Sequence, residues 1–461
     1  MAGDSLANPI LNSPYDPPQR YFEIAAKGPT GEILEGRRPS ESYIPVPLPR
    51  KGTRAGKGKS AQPEQVSFDF DGTRERRERN GLINGLRRDV DLWRARSYDH
   101  VTPVSRKLLQ HWADESRENR VLYCQREAAE TAIFLAEVAG RHGYADWRAQ
   151  LQEANAAYNE ALPRVALKMA TGSGKTVVMA MLIAWQSLNK LHSPSDKRFA
   201  RRFLVVTPGI TIRDRLRVLH PEDPGNYYDE RDLVPTDLRS MLGKAQIVVT
   251  NYHAFQPRDA KEIKGVAGNT RKILLAHKKG ADPFKETESA VVSRVLRNLG
   301  GTFGGTSVSN SNPGAEIVVF NDEAHHCYVD RPQTAYSDVM VTPDAEAKEA
   351  NEQARVWFRG LQSVAKKVGI KTIYDMSATP YFLAGSGYNE GHLFPWTVSD
   401  FSLMDAIESG IVKVPRTPVD DDAGDDRVTY LTLWEHIGAD LPKRGLKDTD
   451  IESWRPRPEL Q

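Results

Sequence analysis

The stretch Val165-Ala-Leu-Lys-Met-Ala-Thr-Gly-Ser-Gly-Lys-Thr-Val-Val-Met-Ala-Met-Leu-Ile-Ala-Trp-Gln-Ser-Leu188 decides how the rest of the chain is read. Its first five residues form a short apolar strand, and Val177–Leu188 forms an apolar helix. Between them lies Ala170-Thr-Gly-Ser-Gly-Lys-Thr176. Glycines let successive backbone N–H groups turn toward phosphate oxygens, and the helix N-terminus adds positive partial charge. Thr171, Gly172, Ser173 and Gly174 would cradle the phosphates, and Lys175 would reach the β- and γ-phosphates. The Thr176 hydroxyl would ligate magnesium. The strict pattern wants a glycine where this chain has Met169, but the order strand, loop, helix is right. A glycine-rich turn can be purely structural; Thr-Gly-Ser-Gly-Lys-Thr after a buried strand argues for phosphate binding.

Outward from this stretch, short apolar runs alternate with helical ones. Phe203–Val206, Gln246–Thr250, Ile317–Phe320 and Lys371–Tyr374 are each followed by a turn signal or a helix. That texture predicts an α/β fold, a parallel sheet covered by helices. The run at Ile317 leads into Asn321-Asp-Glu-Ala-His-His326. Two carboxylates at the C-terminal end of such a strand sit where open parallel sheets bind ligands. Neighbouring strand residues face opposite ways, so the two can divide the work. Asp322 can hold the magnesium ion, and Glu323 can orient and deprotonate the attacking water. His325 is placed on the γ-phosphate side, and His326 has no forced role. An Asp-Glu pair read alone is a solvated turn; behind an upstream phosphate loop it becomes a nucleotide hydrolysis site.

Ala170–Thr176, Asn321–His326 and Ser377-Ala-Thr379 together resemble the first RecA-like motor domain of superfamily 2 helicases and translocases of the DEAD/DEAH-box type. The doubled histidine and the stretch Asp400–Pro415 are similar, more narrowly, to the restriction (Res) subunit of type III restriction enzymes. The resemblance spans about Tyr123 to Pro415. It implies a RecA-like P-loop domain that uses ATP and Mg2+, with hydrolysis coupled to DNA binding in a restriction-modification system. Lys175, Glu323 and His325 become the catalytic group, and Ser377 and Thr379 link hydrolysis to strand movement. Gln125 falls where the family's Q motif reads adenine; a primary amide can donate to N7 and accept from the exocyclic amine. Thr207-Pro208-Gly209 and Thr250-Asn251 resemble the motifs that touch the nucleic-acid backbone, contacts that position a strand without reading it. Arg213, Arg215 and Arg217 would add charge there, or else lie on a solvated helix face.

The flanks read differently. Residues 1–100 are expected to be irregular and rich in Pro and Gly, with a basic linker at Arg50–Lys59 that is either solvated or a phosphate-contacting arm. Residues 101–160 are expected to be helical and to carry Gln125, and 161–415 to be the motor domain. Residues 416–461 would be an acidic linker, around Asp420–Asp426, and the incomplete start of a further domain. The family needs a second RecA-like domain with an arginine finger and, in type III enzymes, a nuclease domain. Both are expected on a C-terminal part or a separate chain, with a methyltransferase (modification) subunit as a further partner.

The 461 residues allow several domains at roughly 100–200 residues each. With 63 Lys+Arg against 61 Asp+Glu, there is no global charge to drive nucleic-acid or membrane binding. No apolar run reaches membrane length, and the polar, proline-rich start has no signal-peptide character. Two cysteines make no disulfide framework. The expectation is a cytoplasmic ATPase motor of helicase or translocase type. A truncated ATP- and DNA-binding module with little turnover, or an RNA helicase, remains the alternative.

Overall fold

The computed structural model describes residues 8–25, 28–45, 75–209, 214–258, 286–297, 299, 317–329, 345–383, 386–388 and 391–413. The basic stretch at Arg50–Lys59, Arg213, the glycine-rich residues 300–314 and the region 416–461 lie outside them.

Two antiparallel hairpins open the fold, β1 (Arg20–Ala25) with β2 (Gly28–Glu35), and β3 (Glu41–Pro45) with β4 (Glu75–Arg79). Four helices follow: α1 (Gly81–Ala95), α2 (Pro103–Ala113), α3 (Tyr123–Glu137) and α4 (Trp147–Tyr158). Helix α2 starts where Thr102 accepts a hydrogen bond from the Ser105 N–H at 3.1 Å, with proline at its first position. The described segments within the first hundred residues are thus more regular than their composition predicts. Each of the two short sheets is formed by its own pair of strands.

From Arg164 onward the chain alternates as the apolar runs require. Strand β5 (Arg164–Met169) leads to α5 (Lys175–His192), and β6 (Arg202–Thr207) to α6 (Tyr227–Glu230) and α7 (Thr236–Leu242). Then come β7 (Gln246–Asn251), α8 (Glu288–Val295), β8 (Ile317–Asp322), α9 (Ala345–Val368) and β9 (Ile370–Ser377). Strand β10 (Thr397–Phe401) and helix α10 (Leu403–Glu408) complete the described order.

Strands β5 to β10 form one parallel sheet in the order β10-β5-β9-β8-β6-β7. Alternation along each strand splits the core between the two faces. Phe203, Val205, Val318 and Phe320 pack with α1, α2, α3 and α5; Leu204, Val206, Ile317 and Val319 pack with α8 and α9. Because both faces are covered, the strands read as continuous apolar runs. The edge strand β10 is covered rather than exposed: Ser40 donates to the Asp400 carboxylate at 2.6 Å, and Arg87 donates to the Asp400 carbonyl.

Beneath the sheet's ligand-binding edge lies a buried polar knot. Arg164 of β5 pairs with Asp375 of β9 at 2.7 Å, and Asp375 also accepts from Asn321 of β8 (2.8 Å) and from the Trp396 indole (2.8 Å). Trp357 of α9 donates to Asn321 at 3.1 Å. A buried ion pair persists when its remaining lone pairs are satisfied, as they are on Asp375. Among the described residues no helix is long and apolar enough to cross a membrane.

Candidate nucleotide site

The candidate phosphate loop begins where β5 ends. The Ser173 hydroxyl donates to the Ala170 carbonyl at 2.7 Å, which tightens the turn. Gly172 and Gly174 hold φ of +85° and +87°, values that cost an ordinary residue strain. At Gly174 there is also no room: a Cβ would sit 2.2 Å from the Gln125 amide nitrogen. Thr171 and Gly172 are exposed, Ser173 is buried, and Lys175 opens α5. Met169 is the last residue of β5, paired with Phe401 of β10, so the turn starts after Ala170.

Gln125 stands directly behind this loop. It sits in the first turn of α3, and its side-chain oxygen accepts from the Leu122 N–H at 3.2 Å. Its amide nitrogen donates to the Ser173 carbonyl at 3.0 Å. One side chain therefore caps a helix and braces the phosphate loop. In front of it opens a cavity of about 610 Å3, lined among others by Tyr15, Arg120, Leu122, Gln125, Val177 and Leu233.

The acidic box arrives from β8, two places along the sheet from β5 with β9 between them. Asp322 is the last strand residue. Glu323 leaves the strand in the left-handed region, φ 51° and ψ 50°. The two carboxylates are therefore separated by a backbone turn rather than by strand alternation. A non-glycine residue held there is strained, and its Oε1 lies 2.8 Å from the Lys175 ammonium. Burial, and then the Glu323 charge, push the Asp322 carboxyl up to about 6, against the pull of Lys175. Two neighbouring carboxyls thus share one lysine. A divalent cation on Asp322 and the Thr176 hydroxyl would relieve that repulsion, so these residues suit Mg2+ held jointly with phosphate.

His325 carries the arrangement onward. Its Nδ1 is 3.0 Å from the Ser377 hydroxyl and 3.6 Å from Glu323. The Ser377 oxygen in turn accepts from the Thr379 N–H at 3.0 Å. Burial and then the neighbouring His326 push the His325 pKa down to about 4, with Glu323 opposing and Lys175 assisting. The ring is neutral at neutral pH. Lys175, Glu323, His325, Ser377 and Thr379 thus form a continuous series of contacts across the C-terminal ends of β5, β8 and β9.

The other expected residues are brought to the same edge of the sheet but not to this site. Thr207 is fully buried, and its hydroxyl donates to the Gly209 carbonyl at 3.0 Å. The Asn251 side chain accepts from the Ala254 N–H at 3.2 Å and caps a short turn. Those side chains hold loop shape; Pro208 lies in the bend just after β6, and Thr250 lies on β7. Arg217 is paired with Asp223 at 3.0 Å. The sequence reading missed Tyr15 and Arg120 beside Gln125, and Val412, which a Cβ on Gly172 would approach to 3.3 Å. Proline-rich spacing gives no signal that Tyr15 returns to a site more than a hundred residues away.

Residues 120–382 match the family described as type III restriction enzyme, res subunit. Among solved structures, "The crystal structure of T4 UvsW" is similar at 11% identity and a TM-score of 0.26. That match covers 71% of this chain and 47% of the other, so it takes in about half of that structure's length. No curated protein matches.

Proposed function

The chain belongs to the family of type III restriction enzyme res subunits, whose helicase-like motor its residues 120–382 carry, and on that premise we propose that it carries the ATP-hydrolysing motor domain of a DNA translocase or helicase. The observation that carries this reading is the contact series from Lys175 through Glu323 and His325 to Ser377. Such a series ties the group that senses the terminal phosphates to the strand that carries the coupling motif. Asp322 and the Thr176 hydroxyl would hold Mg2+, which would supply charge neutralisation at the terminal phosphate of ATP. Gln125 and Ser173 keep the loop in shape. Lys175 exchanges its bond with Glu323 for phosphate, which frees Glu323 to orient water.

DNA would cross the C-terminal ends of β6 and β7, near Thr207–Gly209 and Thr250–Asn251. With the Thr207 and Asn251 side chains already engaged, main-chain amides make the contacts, and binding is independent of sequence. A second RecA-like domain supplies the arginine finger, worth about 10³–10⁵ in rate. A nuclease domain and a modification methyltransferase complete the proposed type III-like restriction system.

Steady-state ATP hydrolysis, measured alone and with duplex DNA, single-stranded DNA and RNA, tests the reading. Stimulation by DNA, increased further by a polypeptide carrying the second motor domain, is expected. Stimulation by RNA alone would make it an RNA helicase, and fast, processive unwinding by this chain alone would overturn the need for a second motor domain.

A further inference from the structure

The cavity in front of Gln125 is not walled by the family-matched segment alone. Tyr15 belongs to the N-terminal segment, and three sets of contacts fix where it sits. Asn12 closes the loop 12–20 on itself: its Oδ1 accepts from the Gln19 and Arg20 N–H groups at 3.0 and 3.1 Å, and its Nδ2 donates to the Arg20 carbonyl at 2.8 Å. On one side the Pro14 carbonyl accepts from the Tyr123 N–H at 2.8 Å. That N–H is one of the orphan donors that open α3, the helix carrying Gln125. On the other side the Glu408 carbonyl, at the end of α10, accepts from Leu11 and Asn12 N–H at 2.7 and 2.9 Å. The Glu408 carboxylate also accepts from the Phe22 N–H at 3.0 Å and from Arg38.

The loop held in this way presents its tyrosine to the cavity, with the Arg120 guanidinium 4.7 Å from the ring centroid. A phenol ring and a guanidinium are both flat surfaces on which a nucleobase stacks. We propose that the loop 12–20 is the base-binding wall of the nucleotide site, with Tyr15 as its stacking residue and Asn12 and Glu408 as positioning residues. This rests on the nucleotide reading above and adds the residues that hold the base. It also makes base affinity depend on α10, far along the chain from the phosphate loop.

Equilibrium binding of ATP and of inorganic tripolyphosphate, which lacks the base, separates the parts. Aromatic stacking on one base is worth roughly tenfold or more in affinity. Tyr15→Ala is expected to weaken ATP by about that factor and to leave tripolyphosphate unchanged, while Tyr15→Phe keeps both. Asn12→Ala should reproduce the ATP loss, and Asn12→Asp, which retains the two accepted hydrogen bonds, should largely restore it. Unchanged ATP affinity in Tyr15→Ala, or equal losses for the two ligands, would overturn the wall while leaving the phosphate site standing. Failure of the unaltered chain to bind either ligand would overturn both.

Discussion

The Lys175 ammonium lies 2.8 Å from the Glu323 carboxylate, so the phosphate loop and the acidic box are already joined by an ion pair. Each partner is the group that the other would have to release when phosphate binds. Replacing either therefore separates binding from hydrolysis. Lys175→Ala should abolish hydrolysis and weaken ATP binding, because each charge-assisted phosphate contact contributes about 1.5–3 kcal/mol. Glu323→Gln should retain ATP and lose hydrolysis, since it frees Lys175 but removes the base. Isothermal titration beside a phosphate-release assay distinguishes them. Equal losses of ATP affinity in both variants would make Glu323 a ligand rather than a base.

Gln125 offers a second separation. Its oxygen accepts from the Leu122 N–H and one amide hydrogen goes to the Ser173 carbonyl, so one N–H and the oxygen's second lone pair remain for a base. Gln125→Ala should relax the preference for ATP over GTP and also weaken tripolyphosphate, by about 1–3 kcal/mol in total. Competition binding with the three ligands reads this directly. A change confined to the base would show that the brace to Ser173 is dispensable.

Ser377 joins His325 to the Thr379 backbone. Ser377→Ala removes both contacts without touching the phosphate loop. Basal hydrolysis should stay within about tenfold, as befits a hydrogen bond worth roughly 0.5–1.5 kcal/mol. Stimulation by DNA should fall away. Intact stimulation would remove Ser377 from the coupling route.

Stability should fall in acid for a reason visible in α3. Burial raises the Glu127 carboxyl, but the charge and hydrogen bonds of Arg37, helped by Arg87 and Arg94, outweigh it and hold the group at about 2. Because the folded value is depressed, the stabilisation is present in full above the ordinary value of 4.5 and lost as pH falls from there through about 2. It amounts to roughly 3 kcal/mol. Glu127→Gln should cost about 3–5 kcal/mol at neutral pH by leaving Arg37 buried beside a neutral amide. Its stability should then vary less between pH 5 and about pH 2. Urea unfolding of both proteins across that range checks it; parallel pH profiles would contradict the assignment.

By itself, the sequence determined the local structure around the candidate site. The apolar run Ile317–Phe320 signals a buried strand, and glycines with a lysine and threonine behind a strand signal the tight strand-to-helix turn that the structure shows, because both depend on neighbours a few residues apart. Family resemblance singled out Gln125 and Ser377 but did not say what they touch. Tertiary structure decided the rest. That β9 lies between β5 and β8, so that Ser377 meets His325, depends on strand order, which no single strand encodes. The left-handed backbone of Glu323 and the knot of Arg164, Asp375 and Asn321 likewise require groups from separate strands. The N-terminal segment was the least legible. Its prolines and charges look solvated in isolation, and its order comes from hydrogen bonds to Tyr123 and Glu408, whose distance along the chain leaves no periodicity to read.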